Sequence, residues 1–259
     1  MGCSIDLNLD AGEIPELLAD GREARLYDLV TTVNIACGGH AGDDATMRKA
    51  VRLAKERDLA IGAHPSYPDR ENFGRKPVTI GFEELKRSIL EQISRLQRIC
   101  NDAGVRLTHL KPHGALYNVA ATDHETASVL IEVAKECGQE LAIVGLASSE
   151  FAHWCTQSGV RFIGEAFVDR RYEKDGRLRS RSFSDALITD PQEACAQALS
   201  LVRDGRVQSV SGDWVDVEAE TLCIHGDSPE AFRHLQGLRK ALRAAGVDVR
   251  RFDQKGRPQ

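Results

Sequence analysis

An α/β barrel is the fold class that this sequence predicts, and three observations point to it. Short apolar runs alternate with longer stretches of helical period, as parallel strands wrapped by helices require. Seven or eight such units fit within 259 residues, which favours a closed barrel over an open doubly wound sheet. Groups able to do chemistry cluster at the ends of the apolar runs, which is where α/β barrels carry their sites.

In chain order, the expected strands are Ile5–Asp10, Thr31–Cys37, Leu59–His64, Leu107–Lys111, Leu141–Val144, Val160–Ala166 and Thr221–His225, with a weaker candidate at Asp248–Phe252. Phe82, Leu85, Ile89, Ile93, Leu96, Ile99 and Ala103 recur every three or four residues, so one helix presents one apolar stripe. Ala231, Leu235, Leu238, Leu242 and Ala245 repeat the pattern in a last long helix, opened by Ser228-Pro229-Glu230 and closed by Gly246. Asp190-Pro191-Gln192-Glu193 supplies an N-cap, a first-turn proline and a capping-box glutamate for another helix. Between Phe167 and Glu220 the rhythm breaks, and Asp175-Gly176 and Gly212-Asp213 predict tight hairpins decorating the barrel. No linker, repeat or low-complexity tract divides the chain. The expectation is one barrel domain over residues 1–252 and a disordered tail over 253–259.

Composition narrows the function classes. Hydrophobic residues make up 42% and charged residues 28%, enough for a large core under a solvated surface. A net charge of −5 gives no basic surface to replace phosphate counterions or to bind an anionic membrane, so neither nucleic acid nor membrane is an expected partner. The absence of a long apolar run and of a signal-like start predicts a cytoplasmic protein. Seven cysteines with no CxxC pair, most of them in apolar surroundings, read as reduced and structural.

Polar residues on the expected strands carry the functional signal. Asp6, Asn8 and Asp10 alternate with Ile5, Leu7 and Leu9, so the three polar side chains share the face expected to point into the lumen. Carboxylates there are costly unless they are paired or bind something. His40, His64, His113 and His225 follow four different strands, and parallel packing puts them on one rim with Asn34, Lys111, Glu165, Asp169, Arg170 and Asp227. His124, His153 and His234 read as surface residues, and His109 as either a lumen group or a core histidine. Asp, Asn, Glu and neutral His suit a divalent metal that activates water. A metal-free alternative uses a carboxylate or histidine as general base, with Lys111 and Arg170 stabilising a developing anion. There is no G-x-S-x-G, H-E-x-x-H or P-loop motif, so the chain has no recognisable means of handling a nucleotide alone.

Seven collinear motifs resemble the LamB/YcsF family, the A components of 5-oxoprolinase. They are Asp6-Leu7-Asn8 with Asp10 and Gly12-Glu13; Val33-Asn34-Ile35-Ala36-Cys37-Gly38 with His40-Ala41-Gly42-Asp43; Ile61-Gly62-Ala63-His64-Pro65-Ser66-Tyr67-Pro68-Asp69; Phe73-Gly74-Arg75; Lys111-Pro112-His113-Gly114-Ala115-Leu116-Tyr117-Asn118; Glu165-Ala166-Phe167 with Asp169-Arg170 and Tyr172; and His225-Gly226-Asp227 with Pro229. The resemblance implies a distorted seven-stranded barrel similar to glycoside hydrolases and polysaccharide deacetylases. It also implies ATP-dependent opening of the lactam 5-oxo-L-proline to L-glutamate together with B and C subunits, ATP being handled with those partners. Combined with the rim, it makes Asp10, Glu13, His64, Lys111 and His113 the candidate catalytic groups. The candidate substrate contacts are Asp6, Asn8, Asn34, His40, Glu165, Asp169, Arg170, His225 and Asp227. A divalent metal is compatible, with no ligand set singled out. The alternatives are a carbohydrate deacetylase-like hydrolase and a non-catalytic binding or assembly subunit. The chain departs from the family's usual pattern in a shortened segment after Ile14–Leu18, in Gly39 where Phe commonly precedes the histidine, and in Ser184 where glycine is usual.

Overall fold

The computed structural model describes residues 3–138, 141–226 and 230–254. Ten strands run in chain order: β1 (Ser4–Ala11), β2 (Thr32–Ala36), β3 (Ala60–His64), β4 (Leu107–Leu110), β5 (Ala142–Leu146), β6 (Phe162–Phe167), β7 (Arg206–Gln208), β8 (Trp214–Asp216), β9 (Thr221–Cys223) and β10 (Asp248–Val249). Seven of them, β1 to β6 and β9, pair side by side in parallel, and β9 pairs back onto β1 to close the barrel. The weak eighth candidate is β10, which adds only Asp248 and Val249 to the start of β1. The two expected hairpins are present. β7 and β8 pair antiparallel around Gly212, and an antiparallel bridge joins Tyr172 to Leu178 across Gly176.

The helices are α1 (Pro15–Ala19), α2 (Arg22–Tyr27), α3 (Asp44–Lys55), α4 (Phe82–Asp102), α5 (Gly114–Ala120), α6 (His124–Glu136), α7 (Glu150–Gln157), α8 (Pro191–Asp204) and α9 (Ala231–Ala244). Local chemistry starts several of them. Asp43 accepts from the Thr46 amide and the Thr46 hydroxyl accepts from the Asp43 amide, both at 2.8 Å, forming a capping box for α3. Asp190 caps α8 with Pro191 in the first turn, as expected. Glu193 does not complete a capping box there. It pairs with the Arg171 guanidinium, a charged donor that outcompetes a backbone amide. The stripe Leu85, Ile89, Ile93, Leu96 and Ile99 of α4 is buried, as are Leu235, Leu238 and Leu242 of α9. The expected α9 cap at Ser228-Pro229 lies outside the described residues, whereas Gly246 follows the helix with φ +74. Among the described residues, no helix is long and apolar enough to cross a membrane.

Ile5, Leu7 and Leu9 of β1 are buried in the apolar layer shared with the surrounding helices, so Asp6, Asn8 and Asp10 point into the lumen. At the N-terminal end of the strands the lumen is closed by Phe252, which packs on Ala60, Ala142, Val144 and Ile163 and meets the His109 ring edge-on. The residues Phe252–Gln254 form a 3₁₀ turn, and Asp253 pairs with Arg251 at 2.7 Å. Order therefore extends past the expected boundary at 252. The rest of the expected tail lies outside the described residues.

Above Phe252 the lumen is polar. Asp6 accepts from the hydroxyls of Thr31 (2.7 Å), Thr32 (2.6 Å) and Thr221 (2.5 Å). Burial nevertheless outweighs these bonds and pushes its carboxyl up to about 6. His109 crosses the lumen to donate to Asn34 Oδ1 at 2.8 Å. It can do so because β3 carries Gly62 opposite: a Cβ there would lie 2.0 Å from His109 Nε2.

Two outcomes are expected. Gly62→Ala forces a buried, hydrogen-bonded ring to move and should cost about 2–4 kcal/mol in urea unfolding. Asp6 binds a proton more tightly folded than unfolded, so between its unfolded pKa and about 6 the folded state holds the extra proton and stability falls as pH rises. Unfolding midpoints from pH 4 to 7 should show this slope, and Asp6→Asn should flatten it; an unchanged slope contradicts the assignment.

Candidate functional site

Successive lumen side chains on one strand rise by about 7 Å, so Asp6, Asn8 and Asp10 mark three levels. At the middle level, Asn8 Nδ2 donates to Glu165 Oε1 (2.9 Å) and to the Thr221 hydroxyl (2.8 Å). Asn34 Nδ2 donates to Asn8 Oδ1 at 2.8 Å and to Asp10 Oδ1 at 2.9 Å. Lys111, just beyond the end of β4, stands over this level. Its ammonium lies 2.9 Å from Asp10 Oδ1, 2.9 Å from Glu165 Oε1 and 3.3 Å from Cys223 Sγ. Burial opposes the charge on Lys111, but Asp10, Cys223 and Glu165 hold its pKa well above the ordinary lysine range. Burial likewise opposes ionisation of Asp10, and His64 and Lys111 overcome it, holding the carboxyl well below its usual range. The bottom of the site is thus an ionised lysine between two carboxylates.

A second cluster lies on the rim beside it. Glu13, from the loop after β1, gathers three histidines that follow β2, β3 and β4. Glu13 Oε1 is 3.0 Å from His40 Nε2, 3.2 Å from His113 Nδ1 and 3.7 Å from His64 Nε2. His64 Nε2 also lies 3.3 Å from Asp10 Oδ2. The His40 and His113 rings stack with centroids 3.6 Å apart. Backbone carbonyls set the tautomers. His64 Nδ1 faces the Lys111 carbonyl at 2.8 Å and His113 Nε2 faces the Phe73 carbonyl at 3.0 Å, and a carbonyl only accepts. Each of those nitrogens therefore carries the proton. Their other nitrogens, His64 Nε2 and His113 Nδ1, face each other at 3.0 Å.

Phe73 is held for this task in a left-handed turn (φ 54), with Gly74 clamped on Gly114, where a Cβ would lie 2.5 Å from the Gly74 oxygen. Burial pushes the pKa of His113 down and that of His40 to about 3, so both stay neutral. Glu13 is held well below its usual range: burial raises it, but the His113 and His40 imidazoles beside it prevail.

Groups on Asp10, Glu13, His64 and His113 thus converge on one spot at the rim. The ligating atoms of Glu13, His40, His64 and His113 lie within 4.8 Å of one another. This donor set, a carboxylate and two imidazoles whose far nitrogens are anchored on backbone carbonyls, suits a zinc-like divalent ion.

These groups border a cleft of about 640 Å³ at the C-terminal ends of the strands. Asp10, Glu13, His64, Lys111, His113, Arg170 and His225 line it, and its far wall is the segment Arg177–Phe183. Other expected contacts sit elsewhere. Asp6, Asn8, Asn34 and Glu165 are expected to touch substrate, but they lie within the lumen; Asp6, Asn8 and Asn34 spend their hydrogen bonds on protein partners, and Glu165 bonds Asn8 and Lys111 through Oε1 while its buried Oε2 has no hydrogen-bond partner. His40 is buried behind Glu13 and His113. Asp169 stands behind His225 and accepts from its Nδ1 at 2.9 Å. Asp227 lies outside the described residues. Gly39 sits where Gln92 fills the space: a Cβ there would fall 2.4 Å from Gln92 Oε1, which accepts from the Ser66 amide at 3.0 Å.

The sequence profile of the LamB/YcsF family matches residues 5–257. The chain belongs to the LamB/YcsF family. It is 47% identical over 247 residues to the A component of 5-oxoprolinase from Chloroflexus aggregans, covering 95% of this chain and 98% of that one. A lactam utilization protein from Thermus thermophilus has the same fold, with TM-score 0.88 and 40% identity over 95% of this chain and 99% of that one. A family 4 carbohydrate esterase from Streptomyces lividans, bound to acetate, matches at TM-score 0.50 and 14% identity over 95% of this chain and 91% of that one, a likeness of fold alone.

Some groups at this LamB/YcsF site carried no sequence signal of their role. Cys223 lies in an apolar run, yet its sulfur accepts from Lys111. Tyr117 lies beside Glu165, which with burial lifts its phenol well above the usual range. Arg75 and Arg181 come from irregular segments without periodicity and line the cleft.

Protein purified without chelator should carry a near-stoichiometric divalent ion, lost in His64→Ala and in His113→Ala. Equal metal content by elemental analysis in wild type and both variants would remove the cluster as the binding site.

Proposed function

We propose that the chain is the lactam-opening component of an ATP-dependent 5-oxoprolinase, hydrolysing 5-oxo-L-proline to L-glutamate together with partner B and C subunits that carry the nucleotide chemistry. The observation that carries this reading is the polarity of the cleft. The floor offers the Lys111 ammonium in contact with Asp10, one wall offers the Arg170 guanidinium, and the wall opposite offers the carboxylate and imidazoles of Glu13, His64 and His113. A substrate with a carboxylate at one end and an amide carbonyl at the other fits such a division. The relatives bearing 5-oxoprolinase and lactam-utilization names support it.

A lactam amide resists hydrolysis through resonance, and phosphorylation of its carbonyl oxygen by the partner-held nucleotide would make the carbon electrophilic. Water then adds to that carbon, giving its proton to Asp10 or Glu13, both ionised in this site. The carbon–nitrogen bond breaks as the ring nitrogen takes a proton and leaves as an amine, and the acyl phosphate that results is hydrolysed by a second water to the carboxylate of L-glutamate and inorganic phosphate. Lys111 and Arg170 stabilise the oxyanion or phosphoryl charge and the substrate carboxylate. A divalent ion held by Glu13, His64 and His113 would supply Lewis acidity toward a carbonyl or a bound water. The same cluster favours a second reading, a metal-dependent deacetylase-like hydrolase, which needs neither ATP nor partners.

The purified chain alone should show little ATP-dependent 5-oxoproline turnover, and adding the B and C components should restore it. A complete, inactive set would refute the substrate assignment, and ATP-independent release of acetate from acetylated sugars would establish the second reading. In the active set, His113→Ala should abolish turnover with assembly intact; retained turnover would leave this chain a role in assembly only.

A further inference from the structure

On the wall facing the histidine cluster, the guanidinium groups of Arg170 and Arg181 line the same cleft. Arg170, just after β6, is 7% exposed; its Nη2 donates to the Arg179 carbonyl at 2.7 Å, while its Nε has no partner. An unpartnered charged donor at that depth is expensive unless a ligand completes it. Burial and then the charge of Arg181 pull the Arg170 pKa down to about 10, so the two cations repel each other at short range.

Arg181 is exposed on the segment forming the far wall. Its Nη2 donates at 2.8 Å to His225 Nε2. That nitrogen is an acceptor because His225 Nδ1 donates to Asp169 at 2.9 Å. Among the described residues Arg181 has no ion-pair partner, whereas Arg177 and Arg179 on the same segment are paired with Asp175, and with Glu173 and Asp185. One arginine of the wall thus spends its charge on a neutral imidazole, beside a second one with an idle N–H.

We propose that Arg181 and Arg170 together form the anion subsite of the cleft, taking a carboxylate or phosphoryl group, and that Arg181 caps His225 Nε2 until that anion draws it away. An anion between the guanidinium groups satisfies Arg170 Nε and replaces a neutral acceptor of Arg181 with a charged one, a stronger bond. Binding then exposes a lone pair on an imidazole already oriented by Asp169. The choice of 5-oxo-L-proline as the carboxylate rests on the function proposed above; the anion subsite does not.

The test uses the full chain with labelled histidine, followed by NMR during titration with 5-oxo-L-proline and, separately, with inorganic phosphate. In wild type either anion should shift the His225 ring signals. Arg181→Gln should weaken both on the order of tenfold to a hundredfold, should start with His225 signals near the anion-bound position, and should keep the wild-type melting temperature. Arg181→Lys should recover part of the affinity. Equal affinity in Arg181→Gln, or His225 signals that neither anion moves, overturns the proposal. If phosphate binds through Arg181 while 5-oxo-L-proline neither binds nor is turned over by the reconstituted set, the substrate reading fails and the anion subsite stands.

Discussion

One buried ammonium governs the upper half of this barrel. Lys111 Nζ bonds to Asp10 and Glu165 at 2.9 Å each, a buried cation set between two carboxylates. Through Asn8, which bridges Glu165 and Asn34, the same charge organises the level below. A lumen built this way needs polar side chains on β1, β2, β4, β6 and β9 at matching heights, where α/β barrels ordinarily stack aliphatic layers. Removing the lysine would leave two buried anions facing each other, so the position serves stability and chemistry at once.

The rim above that network is electrostatically incomplete on both walls, and in opposite senses. On one side, acceptors of Glu13, His64 and His113 crowd together with their protons committed to backbone carbonyls. On the other, Arg170 and Arg181 repel each other across the cleft wall, and Arg170 Nε has no hydrogen-bond partner. A folded protein tolerates such arrangements when rigid neighbours impose them, and both walls have rigid backing: the Phe73–Gly74 turn behind the histidines and Asp169 behind His225. Preorganised, unmet charge is what a site needs to bind polar groups without reorganising.

Departures from the usual family pattern have local physical accounts. Gly39 leaves no room for a side chain because Gln92 from α4 clamps the backbone of Ser66, accepting from its amide at 3.0 Å and donating to its carbonyl at 2.9 Å. The loop that carries His64 is thus secured by a side chain where a neighbouring ring would otherwise pack. Ser184 is exposed just beyond the far-wall segment and does not line the cleft.

Periodicity in the chain was enough to read seven or eight parallel strands and the lumen face of the first, because alternation of two and of 3.6 residues is a local property. The histidines after β2, β3 and β4, with Lys111 and Asp10, were legible for the same reason: parallel strands bring their ends to one rim. What distance along the chain could not reveal was which of these groups touch each other and which reach the cleft. Asp6, Asn8, Asn34 and Glu165 looked like substrate contacts, yet strand register sets them one or two levels below the cleft, among donors such as Thr31 and Thr221 that carried no signal. Arg181 was unreadable because an irregular segment has no period to project it. Its meeting with His225, 44 residues away, exists only where the closed barrel brings two loops together.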